Sequence, residues 1–187
     1  MDRTTIYFVR HAESDVSVRD DLTRPLTARG EADALRVTTA LKGLDIARVY
    51  SSPYKRAVDT VRDLAQTLGL EIITIDDLRE RAVGGWVEDF VGFAKKQWSD
   101  FSFKLPGGES PGEVQVRNVA AVLKMAAENP GTSIVIGTHG TAVSTIINYF
   151  NPAFGFADFY SIIDKTSYIL RCVFQGQVLL SIEEIGY

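Results

Sequence analysis

The sequence predicts an α/β fold with a largely parallel sheet and an antiparallel hairpin at one edge. Three observations predict it. Short apolar, β-branched runs alternate with stretches of helical spacing; cap residues and glycines mark where the helices begin and end; and two strand-like runs flank a Gln175-Gly176 turn near the end of the chain.

In order along the chain, residues 4–9 form a short apolar and aromatic run, expected as a buried strand. Turn-rich sequence continues to Pro25. Thr27 then caps a helix over 28–41, in which Ala34, Leu35, Ala40 and Leu41 keep rough helical spacing. Residues 46–50 are a second buried strand. Ser52 reads as an N-cap with Pro53 in the first helical position, and Gly69 closes that helix after Leu68. A third strand is expected over 71–75. Residues 87–111 interleave Phe90, Phe93, Trp98, Phe101 and Phe103 with Lys95, Lys96 and Lys104. This stretch predicts a short helix and a loop over the end of the sheet, a cap-like insertion within a single domain spanning 1–187. At helical spacing such aromatics more often pack a core than contact a ligand. A helix over 110–128, a strand over 133–137 and a helix over 141–149 follow, and strands over 167–174 and 177–182 make the hairpin.

Composition narrows the function. Hydrophobic residues make up 45% and charged residues 24%, ordinary for a globular domain. A net charge of -4 gives no general attraction to nucleic acid or an anionic membrane, so any phosphate must be held by a local cluster of cations. Cys172 is the only cysteine, which excludes an intramolecular disulfide and suggests a reducing compartment. One cysteine and two histidines are too few for a structural zinc site. The apolar run at 6–9 is too short for a signal-peptide core, and the longest apolar stretch, 134–150, is broken by Gly137, His139 and Gly140. The expected location is cytoplasmic. Nothing in the sequence sets the oligomeric state.

The chemistry is expected where the two histidines fall. His11 ends Phe8-Val9-Arg10-His11, and His139 follows Ile136-Gly137-Thr138, so each comes directly after a predicted strand. In open α/β sheets ligands bind at the carboxyl ends of strands, so both histidines belong to one crevice if the strands are neighbours. Arg56 lies about one turn into the helix that starts near Ser52. A helix N-terminus favours an anion, and an arginine there adds a forked grip on phosphate oxygens.

At this point the residues resemble a known family. Arg10-His11-Ala12-Glu13-Ser14 resembles the Arg-His-Gly signature of the histidine phosphatase superfamily, which includes the cofactor-dependent phosphoglycerate mutases. Pro25-Leu26-Thr27-Ala28-Arg29-Gly30 is similar to its helix start, and Tyr50-Ser51-Ser52-Pro53 with Arg56, Ala57 and Thr60 to its second phosphate-binding turn. Leu78-Arg79-Glu80 before Gly85-Trp86, then Gly107-Gly108-Glu109-Ser110 and Thr138-His139-Gly140, complete five further blocks in order.

The resemblance implies a phosphoglycerate mutase-like three-layer sandwich, a mixed but mostly parallel sheet flanked by helices. It also implies catalytic roles: His11 as nucleophile, Arg10, Arg56 and His139 as phosphoryl ligands, and Glu80 as the proton donor. Such chemistry requires neither a metal nor a cofactor, and its partner is a small phosphorylated substrate. Two positions depart from the family pattern. Ala12 stands where glycine is usual, which matters if the backbone there needs positive φ. Ser17 stands where an asparagine often touches phosphate, and its hydroxyl has a shorter reach. The segment between His11 and Pro25 carries Arg19, Asp20, Asp21, Thr23 and Arg24, of which Thr23 is a candidate substrate contact. The favoured activity is a phosphatase working through phospho-His11. The alternatives are a mutase and a non-catalytic phospholigand-binding module. The compact stretch from Glu80 to His139 favours hydrolysis, because the mutases carry a longer insertion there.

Overall fold

A computed structural model of the chain describes residues 2–163 and 165–186. Its elements are β1 (Arg3–Arg10), α1 (Ala28–Leu41), β2 (Ile46–Ser51), α2 (Lys55–Leu68), β3 (Ile72–Thr74), a 3-10 turn (Asp76–Leu78), α3 (Phe90–Ser99), α4 (Pro111–Glu128), β4 (Ser133–Thr138), α5 (Gly140–Phe150), α6 (Phe156–Ile163), β5 (Ile169–Gln175) and β6 (Val178–Ile185).

The strands form one six-stranded sheet in the order β3-β2-β4-β1-β5-β6. The first four in that order run parallel, while β5 and β6 are antiparallel. The two-residue period of a strand explains the layers. In β1, Ile6 and Phe8 face one side and pack with α4, α5 and α6 through Val122, Met125, Val143, Ile146 and Ile162. Tyr7 and Val9 face the other side and pack with α1 and α2 through Val37, Leu41, Val61 and Leu64. Fully burying a Phe8 or an Ile134 contributes on the order of 1.5–3 kcal/mol, so a sheet covered on both faces supplies most of the stability. Cys172 sits in this core, and burial pushes its thiol up to about 12.

Several boundaries differ from the sequence expectation. The third strand is only Ile72–Thr74, since it is an edge paired with β2 alone. In α1 the buried stripe is Ala34, Val37, Thr38 and Leu41, while Leu35 faces outward. Helix α2 begins at Lys55, so Ser52 and Pro53 lie ahead of it, and Tyr54 takes the N-cap position without a side-chain bond. Helix α6 lies in a stretch the sequence left unassigned. It is eight residues long and apolar on most sides, and it is held by tertiary contact: Phe159 stacks on Trp98 of α3 with ring centroids 5.2 Å apart. Residues 87–111 carry α3 and a loop, and Phe93 also packs edge-on against Phe103 there. Within this stretch most aromatic rings point into packing, whereas Trp86 just before it is 73% exposed.

Candidate active site

The sheet register brings the two histidines together. Arg10 of β1 pairs with Thr138 of β4, and Ser51 of β2 pairs with Gly137. The next residues, His11, His139 and Ser52, therefore leave three adjacent strand ends on the same side. The imidazole centroids of His11 and His139 are 5.3 Å apart, and the Tyr54 ring meets His139 edge-on at 5.2 Å. Arg56, nearly fully buried, reaches over Tyr54 with its guanidinium carbon 5.1 Å from the ring centroid.

His11 is oriented by its own backbone. Its Nδ1 lies 2.8 Å from the Ala12 carbonyl, a group that can only accept, so Nδ1 carries the hydrogen and Nε2 keeps the lone pair. Burial pushes the His11 pKa well below its ordinary value, and the charges of Arg10, Arg56 and Arg24 add to this. The ring is thus a neutral imidazole. Ala12 is fully buried; its amide donates to Thr60 Oγ1 at 2.9 Å, and Thr60 donates to the Arg56 carbonyl. Among the described residues Ser167 is the only non-glycine with positive φ, so the alanine at 12 carries no such strain.

His139 is fully buried at the N-cap of α5. Its Nε2 is 2.7 Å from Ser52 Oγ, and its Nδ1 has no hydrogen-bond partner. Burial lowers its pKa well below the ordinary value, helped by Arg56, His11 and Arg10. Ser52 therefore serves the histidine rather than capping α2, and its Oγ also accepts the Tyr54 amide at 3.2 Å. The amide of Lys55 is taken as well, by the Leu22 carbonyl. Two of the amides expected to receive an anion at the start of α2 are thus occupied, and Arg56, the second residue of the helix, is its buried cation, while Lys55 pairs with Asp59.

Arg56 Nη1 donates to the Asp21 carbonyl at 2.7 Å, and Nη2 lies 3.4 Å from Asp21 Oδ1. The same Oδ1 is 3.2 Å from Arg24 Nη1. Arg10 Nη1 donates to the carbonyls of Ile162 and Lys165, at and just beyond the end of α6. The glycine at 140 leaves room for this arginine, since a Cβ there would stand 3.4 Å from Arg10 Nε and 2.9 Å from Ile163 Cγ2.

The Glu80 carboxylate accepts from two amides, Arg81 N at 2.7 Å on Oε1 and Thr141 N at 3.0 Å on Oε2. Thr141 lies two residues beyond His139, at the positive end of α5. Burial raises the Tyr54 hydroxyl pKa, and the carboxylates of Asp21 and Glu80 add to the rise, so both acids lie on the Tyr54 side of the cluster.

The structure thus places Arg10, His11, Arg56, Glu80 and His139 in one cluster. Ser17 and Thr23 are placed differently. Both are exposed, and their hydroxyls donate within their own loop, Ser17 to Asp15 Oδ1 at 2.6 Å and Thr23 to Asp20 Oδ2 at 2.8 Å. Sequence reasoning missed the roles of Ser52, Tyr54 and Asp21. For Ser52 a signal existed, a hydroxyl directly after a strand, but the same signal marks an N-cap.

Comparison with known proteins identifies the family and the fold. The model for the histidine phosphatase superfamily (branch 1) matches residues 6–179. A 2,3-bisphosphoglycerate-dependent phosphoglycerate mutase of Thermoplasma acidophilum is 29% identical over 160 residues, covering 76% of this chain and 74% of that protein. A probable phosphoglycerate mutase of Shigella dysenteriae is 29% identical over 157 residues, covering 76% and 73%. Among solved structures, phosphoserine phosphatase from Entamoeba histolytica superposes with a TM-score of 0.76 at 22% identity, covering 96% of each chain. A mycobacterial glucosyl-3-phosphoglycerate phosphatase gives 0.76 at 18% identity, covering 100% of this chain and 99% of that one.

Proposed function

The chain belongs to the histidine phosphatase superfamily, branch 1, and from that premise we propose that it is a phosphatase hydrolysing phosphate monoesters through a phosphohistidine on His11. The observation that carries this reading is the neutral His11 ring, with Nδ1 bonded to the Ala12 carbonyl and the Nε2 lone pair left for attack. Nε2 attacks phosphorus, the P–O ester bond breaks, and Glu80 gives its proton to the departing oxygen. Water then gives a proton to Glu80 and attacks the phosphohistidine, the N–P bond breaks, and His11 regains its lone pair.

The other groups answer the charge on the moving phosphoryl oxygens. Arg56 and Arg10 supply fixed positive charge beside both histidines. In this reading His139, fixed by Ser52 Oγ 2.7 Å from its Nε2, stands beside His11 to meet the phosphoryl group. The substrate is a small phosphorylated molecule. Hydrolysis is favoured over return of the phosphate to substrate because only the ten-residue helix α3 and its flanking loops separate Glu80 from α4. A mutase remains the second reading, favoured by the names of the curated relatives.

One assay separates the two readings. The protein is incubated with p-nitrophenyl phosphate, and with 3-phosphoglycerate in the presence and absence of 2,3-bisphosphoglycerate. Steady phosphate release that His11→Ala abolishes is the expected result. Isomerisation without release would sink the phosphatase reading.

A further inference from the structure

Residues 79–89, which carry Glu80, have no helix or strand of their own, yet Glu80 must be held to within a fraction of an ångström to pass a proton. A mostly buried ion pair outside the crevice supplies that order. Arg117 of α4 meets Glu109 as a fork, with Nε 2.9 Å from Oε1 and Nη2 2.8 Å from Oε2. The same guanidinium donates to the carbonyls of Asp77 at 2.9 Å, Arg79 at 2.7 Å and Glu80 at 3.2 Å. Glu109 in turn accepts the Ala82 amide at 2.9 Å and Arg79 Nη2 at 3.2 Å.

Three carbonyls and one amide on either side of the Glu80 side chain are therefore tied to a single pair. Side-chain exposure is 11% for Arg117 and 17% for Glu109. Burial pushes the Glu109 carboxyl up, but the Arg117 hydrogen bonds, the Ala82 amide and the Arg117 and Arg79 charges outweigh it, and the carboxyl stays ionised below its ordinary range. A mostly buried charge pair of this kind is a poor source of net stability, since well-packed apolar side chains often do as well. Its distinctive property is geometric: five donors in one rigid plane can fix several acceptors at once, which an ammonium cannot do.

We infer that Arg117 and Glu109 are positioning residues for proton transfer, holding the backbone of 77–82 so that the Glu80 carboxyl meets the leaving oxygen. Neither touches the substrate. The inference rests on Glu80 being the proton donor, and the test separates the two claims.

The test compares kcat/KM for two aryl esters of similar shape, in Arg117→Lys and Glu109→Gln. Phenyl phosphate has a leaving oxygen that needs a proton, whereas 2,4-dinitrophenyl phosphate releases a stable phenolate. Arg117→Lys keeps the positive charge that acts on His139, so a charge effect on the crevice is not confused with misplacement of Glu80. The expected result is a loss of about tenfold or more on phenyl phosphate, against a change within about threefold on the dinitrophenyl ester. Glu109→Gln, which loses the charge but keeps an oxygen for the Ala82 amide, is expected to show the same split. Equal losses on both esters, or no loss on either, overturn the inference and leave the pair a fold element. Glu80→Gln is the reference and should show the same preferential loss on phenyl phosphate. If it does not, Glu80 is not the donor, and the positioning role falls with that assignment.

Discussion

The two depressed histidines make a prediction about stability that the composition leaves unusually clean. The chain holds only two histidines, and both have pKa values pushed well below 6.5, first by burial and then by the arginines beside them. In the unfolded chain each titrates near ~6.5. As pH falls below that value the unfolded state takes up protons and the folded state does not, so stability drops; above it neither state binds and the contribution is constant. Each histidine contributes a slope approaching about 1.4 kcal/mol per pH unit, and the pair about twice that. Between pH ~6.5 and ~5 the loss reaches at most about 3 kcal/mol, a large share of the ~5–15 kcal/mol that holds a domain folded. Five carboxylates with lowered values do not blur this window. Asp15, Asp20, Asp100, Glu109 and Glu113 have lowered values and lose their contribution only as pH falls through their folded pKa values, below the ordinary carboxylate range of about 4. Urea unfolding followed by Trp86 and Trp98 fluorescence, in phosphate-free buffer from pH 8 to 5, measures the slope. His11→Gln and His139→Gln are each expected to remove about half of it. A stability flat between pH 6.5 and 5, or a slope the two variants leave unchanged, would refute neutral burial of these rings.

Two further outcomes follow from the loops around the crevice. Gly30→Ala would place a Cβ 2.1 Å from the Glu13 carbonyl, which also accepts the Thr27 amide, and backbone cannot step aside cheaply. A loss on the order of 1–3 kcal/mol by thermal or urea unfolding is expected, and an unchanged midpoint would contradict it. Asp21→Asn removes a carboxylate that competes with substrate for Arg56 and Arg24. That carboxylate is 44% exposed, so the pair is worth only ~0.2–1 kcal/mol, and inorganic phosphate should inhibit up to about fivefold more tightly. Weaker inhibition would mean that Asp21 holds Arg56 ready for the anion.

Local rules account for what was legible in advance. Thr27 caps α1 by accepting the Gly30 amide at 3.0 Å, and Ser110 with Glu113 forms a capping box at the start of α4; both are short-range hydrogen bonds that residue type and spacing reveal. Gly69 ends α2 in the left-handed conformation for the same kind of reason. Helix α6 was missed because its eight residues are too few to establish a period by themselves, and the Trp98 ring that orders it comes from α3. Ser52 was misassigned because a hydroxyl after a strand satisfies a helix amide or a distant imidazole equally well, and only the fold brings His139 within 2.7 Å.

By itself, then, the sequence determined the strand and helix alternation and the residues at the strand ends, and from these it nominated five groups for one site. Those depend on spacing along the chain. The tertiary structure alone decided their relations: the register of β1, β4 and β2 that sets His11, His139 and Ser52 side by side, and the Arg117–Glu109 fork that holds Glu80 against α5. Residues far apart in sequence meet only when β-pairing and packing close the loops between them, and no local pattern records that geometry.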